Sequence, residues 1–415
     1  MAVKLRLALR SFSDFENAIA EEIGRYRQQH PEVEIEVVPL VLDDLHREMF
    51  QEGGLKSGAW DLGLVSTDWL AEAVETAALE ELTPWLGAAP VPDWPQGWAR
   101  SIVEPVQFES KLGSALYALP WHDGPECLIY RKDLFTDQAE CTAFRAKYAY
   151  ELAPPRTWQQ FDDVAAFFTR PAEGRYGTLV AAFPDGHNTL YDFALQLWSR
   201  GGALHDAAGA PQLATPAAAA ALDFYRGLVR DAGRCHPGGE KLDSVQSGDV
   251  FLSGKIAMMV NWFGFAARCD RPGDSPLQGK VAIAPIPAAA GIAPCSLSVF
   301  WTIGIGSGSR HKAEAYDFIR FLMQAEQDRS LVTHGAVGCR LATWRDPGVQ
   351  ARVAPFREIE AISLAARRLP RSSRLPAFAA LINRVIGEAL ATERPSAEIL
   401  SDAQASAQEL QLRLA

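Results

Sequence analysis

An α/β fold organised as two domains is what this sequence predicts, and three observations carry that prediction. At 415 residues the chain exceeds what one hydrophobic core fills. Its composition, 48% hydrophobic and 22% charged, is that of a globular chain with a sizeable core. Strand and helix signals alternate from the first residues onward, the pattern of a sheet covered by helices.

Val3, Leu5, Leu7 and Leu9 alternate with polar or small residues, as in a strand with one strongly buried face. Ser13-Asp14-Phe15-Glu16 has capping-box spacing, and Phe15, Ile19, Ile23 and Tyr26 recur at helical intervals until His30-Pro31 stops the run. Val33, Ile35 and Val37 then alternate with Glu32, Glu34 and Glu36 as a second strand. A helical stretch through Leu45 and Met49 ends at Gly53-Gly54, and Asp61 to Val65 reads as a third strand feeding a helix from Trp69 to Ala77. This βαβαβ order predicts a mainly parallel sheet with ligands at the carboxyl ends of its strands, so the loops at Arg10 to Asp14 and Ser66 to Trp69 face the expected site.

After a stretch rich in Pro and Trp between Pro84 and Pro95, Leu116 to Pro120 and Cys127 to Tyr130 form two extended segments around a polar bend, which reads as a crossing between domains. Thr157-Trp158-Gln159-Gln160 is a second capping box, opening a helix through Phe161, Val164, Ala165 and Phe168. Helical periodicity continues from Tyr191 to Trp198 and from Pro216 to Val229, and Ile256 to Val260 suggests a short strand. There is no long linker and no internal repeat.

A net charge of -11 and a pI near 5.3 argue against a nucleic-acid partner, since phosphate binding needs clustered Lys and Arg. The one basic stretch, Arg367, Arg368, Arg371 and Arg374, reads as a solvated loop before it reads as an anion site. The sequence has no run of about 18 apolar residues and so nothing that reads as a membrane span. Met1 to Arg10 lacks the continuous apolar core of a signal peptide, leaving a cytoplasmic protein or a trimmed mature form as expectations. Cys127, Cys141, Cys235, Cys269, Cys295 and Cys339 form no C-x-x-C pair, so neither a metal nor any other cofactor is expected. If the compartment is oxidising, Cys235 with Cys269 is the pairing to test, with buried free thiols as the alternative.

Several segments in order resemble the extracellular solute-binding protein family of ABC importers, the maltose-binding-protein-like sugar receptors. Ala59 to Ala71 looks like that family's "pDvv…wl.ela", and Leu119-Pro120 with Leu128 to Phe135 like "lP…lyYNkdlF". Pro155 to Phe161 is similar to "PkTWdEf", Phe251 to Met258 to "f.sGkaAM", Val281 to Pro287 to "vaiaPlP", His311 to Leu322 to "kaAyeFikfL", and Pro395 to Leu400 to "speeaL". Two departures stand out: Arg131 where the family usually has Asn, and Phe300-Trp301 in a segment often richer in Gly.

The resemblance implies a periplasmic-binding-protein-like type II fold, with two α/β lobes, a ligand cleft between them and a hinge. Lobe one would combine residues 1-120 and 279-310; lobe two would hold 121-278 and 311-415. It further implies a mono- or oligosaccharide as the solute, the importer's membrane subunits as partners, a monomer, no catalysis, and a periplasmic or extracellular location with the signal sequence trimmed.

A sugar receptor must replace hydroxyl hydration with fixed partners and cover apolar C–H faces with flat rings. Segments with both residue types at positions the resemblance puts in the cleft supply the candidates. They are Trp121, His122 and Asp123; Asp185, His187 and Asn188; Asn261 and Trp262; Ser11, Ser13, Asp14 and Asp68; Phe300 and Trp301; and Arg340. Competing structural roles are plain for several of these. Ser13 could cap its helix, Asp185 to Asn188 could be a capping turn, Trp301 could belong to an apolar strand through Ile305, and Arg340 could lie at the surface.

Enzyme signatures are absent: the sequence has no G-x-x-x-x-G-K-[ST], H-E-x-x-H or G-x-S-x-G. Gly304 to Gly308 lacks full dinucleotide spacing and reads as a tight turn. Asp123, Glu126 and Asp185 could in principle form a glycosidase-like carboxyl pair. A polyol, an organic cation or a phosphorylated compound is the alternative solute, and a sensor the alternative to a transport component.

Overall fold

Alternation in the opening segment becomes β1 (Val3–Arg10), in which Leu5, Leu7, Ala8 and Leu9 are all fully buried, so both of its faces are covered. The computed structural model describes residues 3–110, 113–271, 273, 275–410 and 412–414. Its remaining principal strands are β2 (Val33–Leu40), β3 (Leu62–Ser66), β4 (Ala118–His122), β5 (Glu126–Arg131), β6 (Met258–Trp262), β7 (Val281–Ala284) and β8 (Trp301–Ile305). The principal helices are α1 (Ser13–Gln29), α2 (Trp158–Phe168), α3 (Asn188–Trp198), α4 (Pro216–Arg230), α5 (Lys312–Leu322), α6 (Leu375–Ala391) and α7 (Ser396–Glu409). Among the described residues no helix is long and apolar enough to cross a membrane.

The chain forms two compact units, one from Met1–Gly124 with Ser298–Arg352 and the other from Pro125–Leu297 with Val353–Ala415. The first holds a five-stranded sheet in the order β2-β1-β3-β8-β4. β1 pairs in parallel with β2 and β3, while β8 runs antiparallel between β3 and β4. The expectation of a mainly parallel sheet therefore holds only for its βαβαβ half, because β8 returns from far along the chain and enters in the opposite sense.

The second unit holds a three-stranded antiparallel sheet with β5 between β6 and β7. Beside it, Tyr176 and Thr178 extend along Ile256 and Cys235. Gly177 is needed there, because a Cβ would stand 1.9 Å from the Ala165 carbonyl oxygen. α2 starts with the predicted box, Thr157 accepting from the Gln160 amide at 3.2 Å and Gln160 accepting from the Thr157 amide at 3.3 Å. α6 and α7 pack on α3 and α4.

The unit boundaries differ from the division expected for the lobes. Residues 279–297 belong with the second unit because β7 pairs with β5. Residues 311–352 belong with the first because α5 packs on β8 and α1. Two local readings also change. α1 is capped by the Phe12 position with no side-chain cap, and Ser13 Oγ approaches Asp14 Oδ1 at 3.5 Å instead of closing a box with Glu16. Ser11 Oγ, in its place, donates to Glu16 Oε1 at 3.2 Å. All six cysteines are free thiols, five of them buried, so the Cys235–Cys269 pairing is not formed.

Candidate functional site

In the first unit the carboxyl ends of β1, β3 and β4 and the amino end of the antiparallel β8 lie along one edge of the sheet. Trp301 is in register with Ser66 on one side and His122 on the other. Ser11 and the start of α1 follow β1, and Asp68 lies in the short turn that follows β3. This is the edge at which open α/β sheets bind ligands, and it gathers Ser11, Ser13, Asp14, Asp68, His122, Asp123 and Trp301.

Phe15, invisible as a site residue in the sequence, holds that edge together. Its ring meets Trp121 at 5.3 Å, His122 at 4.5 Å and Trp301 at 6.2 Å, while Trp301 also meets Trp69 at 5.7 Å. Trp301 keeps partial exposure, as a ring that covers a solute must. Trp121 does not: it is 2% exposed, and its Nε1 donates to the buried Glu22 Oε2 at 3.1 Å. Phe300 is likewise core at 1% exposure. Both rings support the edge from behind.

His122 Nδ1 accepts from the Val337 amide at 2.9 Å, which puts the proton of the neutral ring on Nε2. Burial pushes its pKa down to about 3, so it is a neutral donor. Asp123 is fully buried, and among the described residues no side chain donates to its carboxylate oxygens. Burial pushes its pKa up to about 7, with the Gly124 backbone amide opposing the shift. A carboxylate buried with so few donors costs free energy to keep ionised.

Arg340 leaves the candidate set. It is 3% exposed, its Nη1 donates to the Pro92 and Met323 carbonyls at 3.2 and 2.8 Å, its Nη2 binds Asp93 at 2.6 Å, and its guanidinium lies 4.3 Å from the Trp98 ring centre. Behind it, Asp328 Oδ1 accepts from the Cys339 amide at 2.6 Å and the Arg340 amide at 3.2 Å, and Oδ2 accepts from the Thr343 hydroxyl. That carboxylate ties down the loop that carries Val337, and through Val337 the ring of His122.

The second unit assembles the other candidates by itself. Asp185 Oδ1 accepts from the His187 and Asn188 amides, both at 2.9 Å, and its Oδ2 accepts from the Asn188 side chain, so this turn does hold the start of α3. His187 Nδ1 meets the Tyr191 hydroxyl, and Tyr191 meets Trp262 edge to face at 5.6 Å. Trp262 is partly exposed. Asn261 is spent internally: it is 5% exposed, and its amide bonds the Ser244 carbonyl, the Ser247 hydroxyl and the Trp262 amide. Sequence reasoning did not single out Asp192, one residue past Tyr191; its signal is a lone carboxylate in the largely apolar stretch Leu190 to Trp198.

The fold is shared with solved solute-binding proteins. A maltose-bound MalE3 of T. maritima superposes with a TM-score of 0.85 at 24% identity, covering 99% of this chain and 100% of that one. A solute-binding protein of Agrobacterium radiobacter K84 in complex with ribitol gives 0.87 at 21% identity, covering 98% of each. Among sequence relatives, a "Probable ABC transporter-binding protein" of Deinococcus radiodurans is 27% identical over 250 residues, 59% of this chain and little more than half, 56%, of that protein. The "Mannitol-binding protein" of Pseudomonas aeruginosa is 23% identical over 345 residues, 82% of this chain and 74% of that protein. The bacterial extracellular solute-binding protein model matches residues 10–329. The chain belongs to that family, whose members are receptors for solutes rather than enzymes.

Proposed function

We propose that this chain is the solute-binding component of an ABC importer, working outside the cytoplasmic membrane and capturing a polyhydroxylated solute, a sugar or a polyol. The observation that carries the reading is the sheet edge of the first unit. There a neutral donor (His122) is in register with a partly exposed ring (Trp301), and a buried carboxyl (Asp123) follows in the chain. A solute hydroxyl accepts from the His122 ring, and the C–H face beside it lies against Trp301. The relatives named above support the choice of solute, since two of them carry mannitol or ribitol in their descriptions and a third maltose.

The chain acts as a monomer, and solute binding favours a closed state that the importer's membrane subunits recognise. A thermal-shift panel of sugars, polyols and anions tests the reading, because a ligand that binds only the folded chain raises its midpoint. Polyhydroxylated compounds should raise it and simple anions should not; a panel without any stabilising sugar or polyol would overturn the assignment. Incubation of the bound solutes with the protein should return them uncleaved. Scattering profiles should contract with the solute, and profiles unchanged at saturation would remove the closure step.

A further inference from the structure

This inference rests on the solute-binding reading and concerns the charge of the solute. Glu126 on β5 is in register with Trp262 on β6, and facing residues of an antiparallel pair project from the same side of the sheet. Trp262 touches Tyr191, and Asp192 is the next residue on α3. Asp192 is near enough for its charge to act on Glu126, and Asp185 in the turn before α3 acts on Asp192 in turn. Glu126 is 4% exposed, and its Oε2 has no hydrogen-bond partner among the described residues.

The charges acting on this pair are all negative: Asp192 on Glu126, and Asp185 on Asp192. The other titratable neighbours are Cys127 beside Glu126, His187, which faces Asp185, Asp243 before the helix that starts at Ser244, and Tyr225 on α4 with Cys235 and Glu240 around it. Among the described residues no lysine or arginine acts on Glu126 or Asp192.

We propose that this corner of the second unit receives a positively charged group of the solute, so that the receptor selects an amine-bearing polyhydroxylated compound over its neutral counterpart. Without a solute the like charges are relieved by retained protons: burial and Asp192 hold the Glu126 carboxyl well above its usual range, and burial and Asp185 push Asp192 up to about 8. An ammonium group displaces those protons and gives Glu126 Oε2 the donor it lacks. Trp262, which is partly exposed, offers its ring to the same cation. Among the described residues no three acidic, histidine or cysteine groups converge closely enough for a metal ion, which favours an organic cation.

The test is calorimetry on the full chain at pH 7 with matched pairs, D-glucamine against D-glucitol and D-glucosamine against D-glucose, extended to amino and neutral disaccharides. The amine-bearing member of at least one pair should bind about tenfold more tightly. Its binding should release protons, read as a heat that varies with the ionisation enthalpy of the buffer. Asp192→Asn should cut the amine-to-neutral ratio to about twofold, with Glu126→Gln as the second variant and circular dichroism confirming that each is folded. Neutral members that bind as tightly as their amines, binding without proton release, or a ratio unchanged in both folded variants would overturn the charge assignment and leave the solute-binding reading standing. Failure of every sugar and polyol, neutral or amine, to bind would overturn both.

Discussion

Replacing Asp328 tests whether the loop behind the first unit's sheet edge is held as its geometry indicates. In Asp328→Ala the Cys339 and Arg340 amides and the Thr343 hydroxyl lose their acceptor, and all three residues are at most 3% exposed. Each orphaned buried donor costs roughly 1–3 kcal/mol, and the hydroxyl can turn elsewhere while the amides cannot. Two amides give about 2–6 kcal/mol, offset in part because burial raises the Asp328 pKa and its charge is itself costly to bury. The net loss should be about 2–4 kcal/mol for the first unit, measured by urea unfolding followed by tryptophan fluorescence. Asp328→Asn keeps one carbonyl oxygen for the amides and should lose about half as much. An alanine variant within about 0.5 kcal/mol of the parent, or an asparagine variant worse than the alanine one, would refute the reasoning.

Asp123 supplies a pH signature. Its folded pKa, about 7, lies above the ordinary aspartate value of 3.8, so its contribution to stability is full below about pH 4 and is lost as pH rises through 7. The difference of roughly three pKa units corresponds to about 4 kcal/mol at most, and Asp123→Asn should flatten that part of the stability profile; an equally steep profile in the variant would contradict the assignment. Trp262→Ala should weaken solute binding about tenfold or more by calorimetry while leaving the second unit folded, since the ring is partly exposed. Arg340→Ala should do the reverse, lowering the melting midpoint with solute affinity preserved when measured well below that midpoint. All six thiols should react in denaturant without prior reduction, and a reductant should leave the melting midpoint unchanged.

Much of this was legible in the sequence because local patterns carry local structure. Strands β1 and β2 announce themselves by alternation, and the Thr157 box by its spacing. What failed was whatever depends on distant partners. Trp121 sits beside His122 and Asp123 and reads as a solute ring, but it points to Glu22, ninety-nine positions earlier. Arg340 reads as a surface or ligand residue until Pro92, Asp93 and Trp98 close around it. The unit boundaries slipped for the same reason: only the pairing of β7 with β5 and the packing of α5 on β8 assign those segments, and neither has a local signature. Ser13 misled differently, since the capping pattern was present but the helix began one residue early.

The place of β8 has a consequence for synthesis. It fills the gap between β3 and β4, yet Trp301 follows Ser66 by more than two hundred residues, with all of the second unit's Pro125–Leu297 segment between them. A nascent chain ending before Trp301 thus exposes two unsatisfied strand edges, which invite pairing with other chains. Whatever keeps such chains apart must act until that strand emerges, and a gene split ahead of it should yield an insoluble amino-terminal fragment.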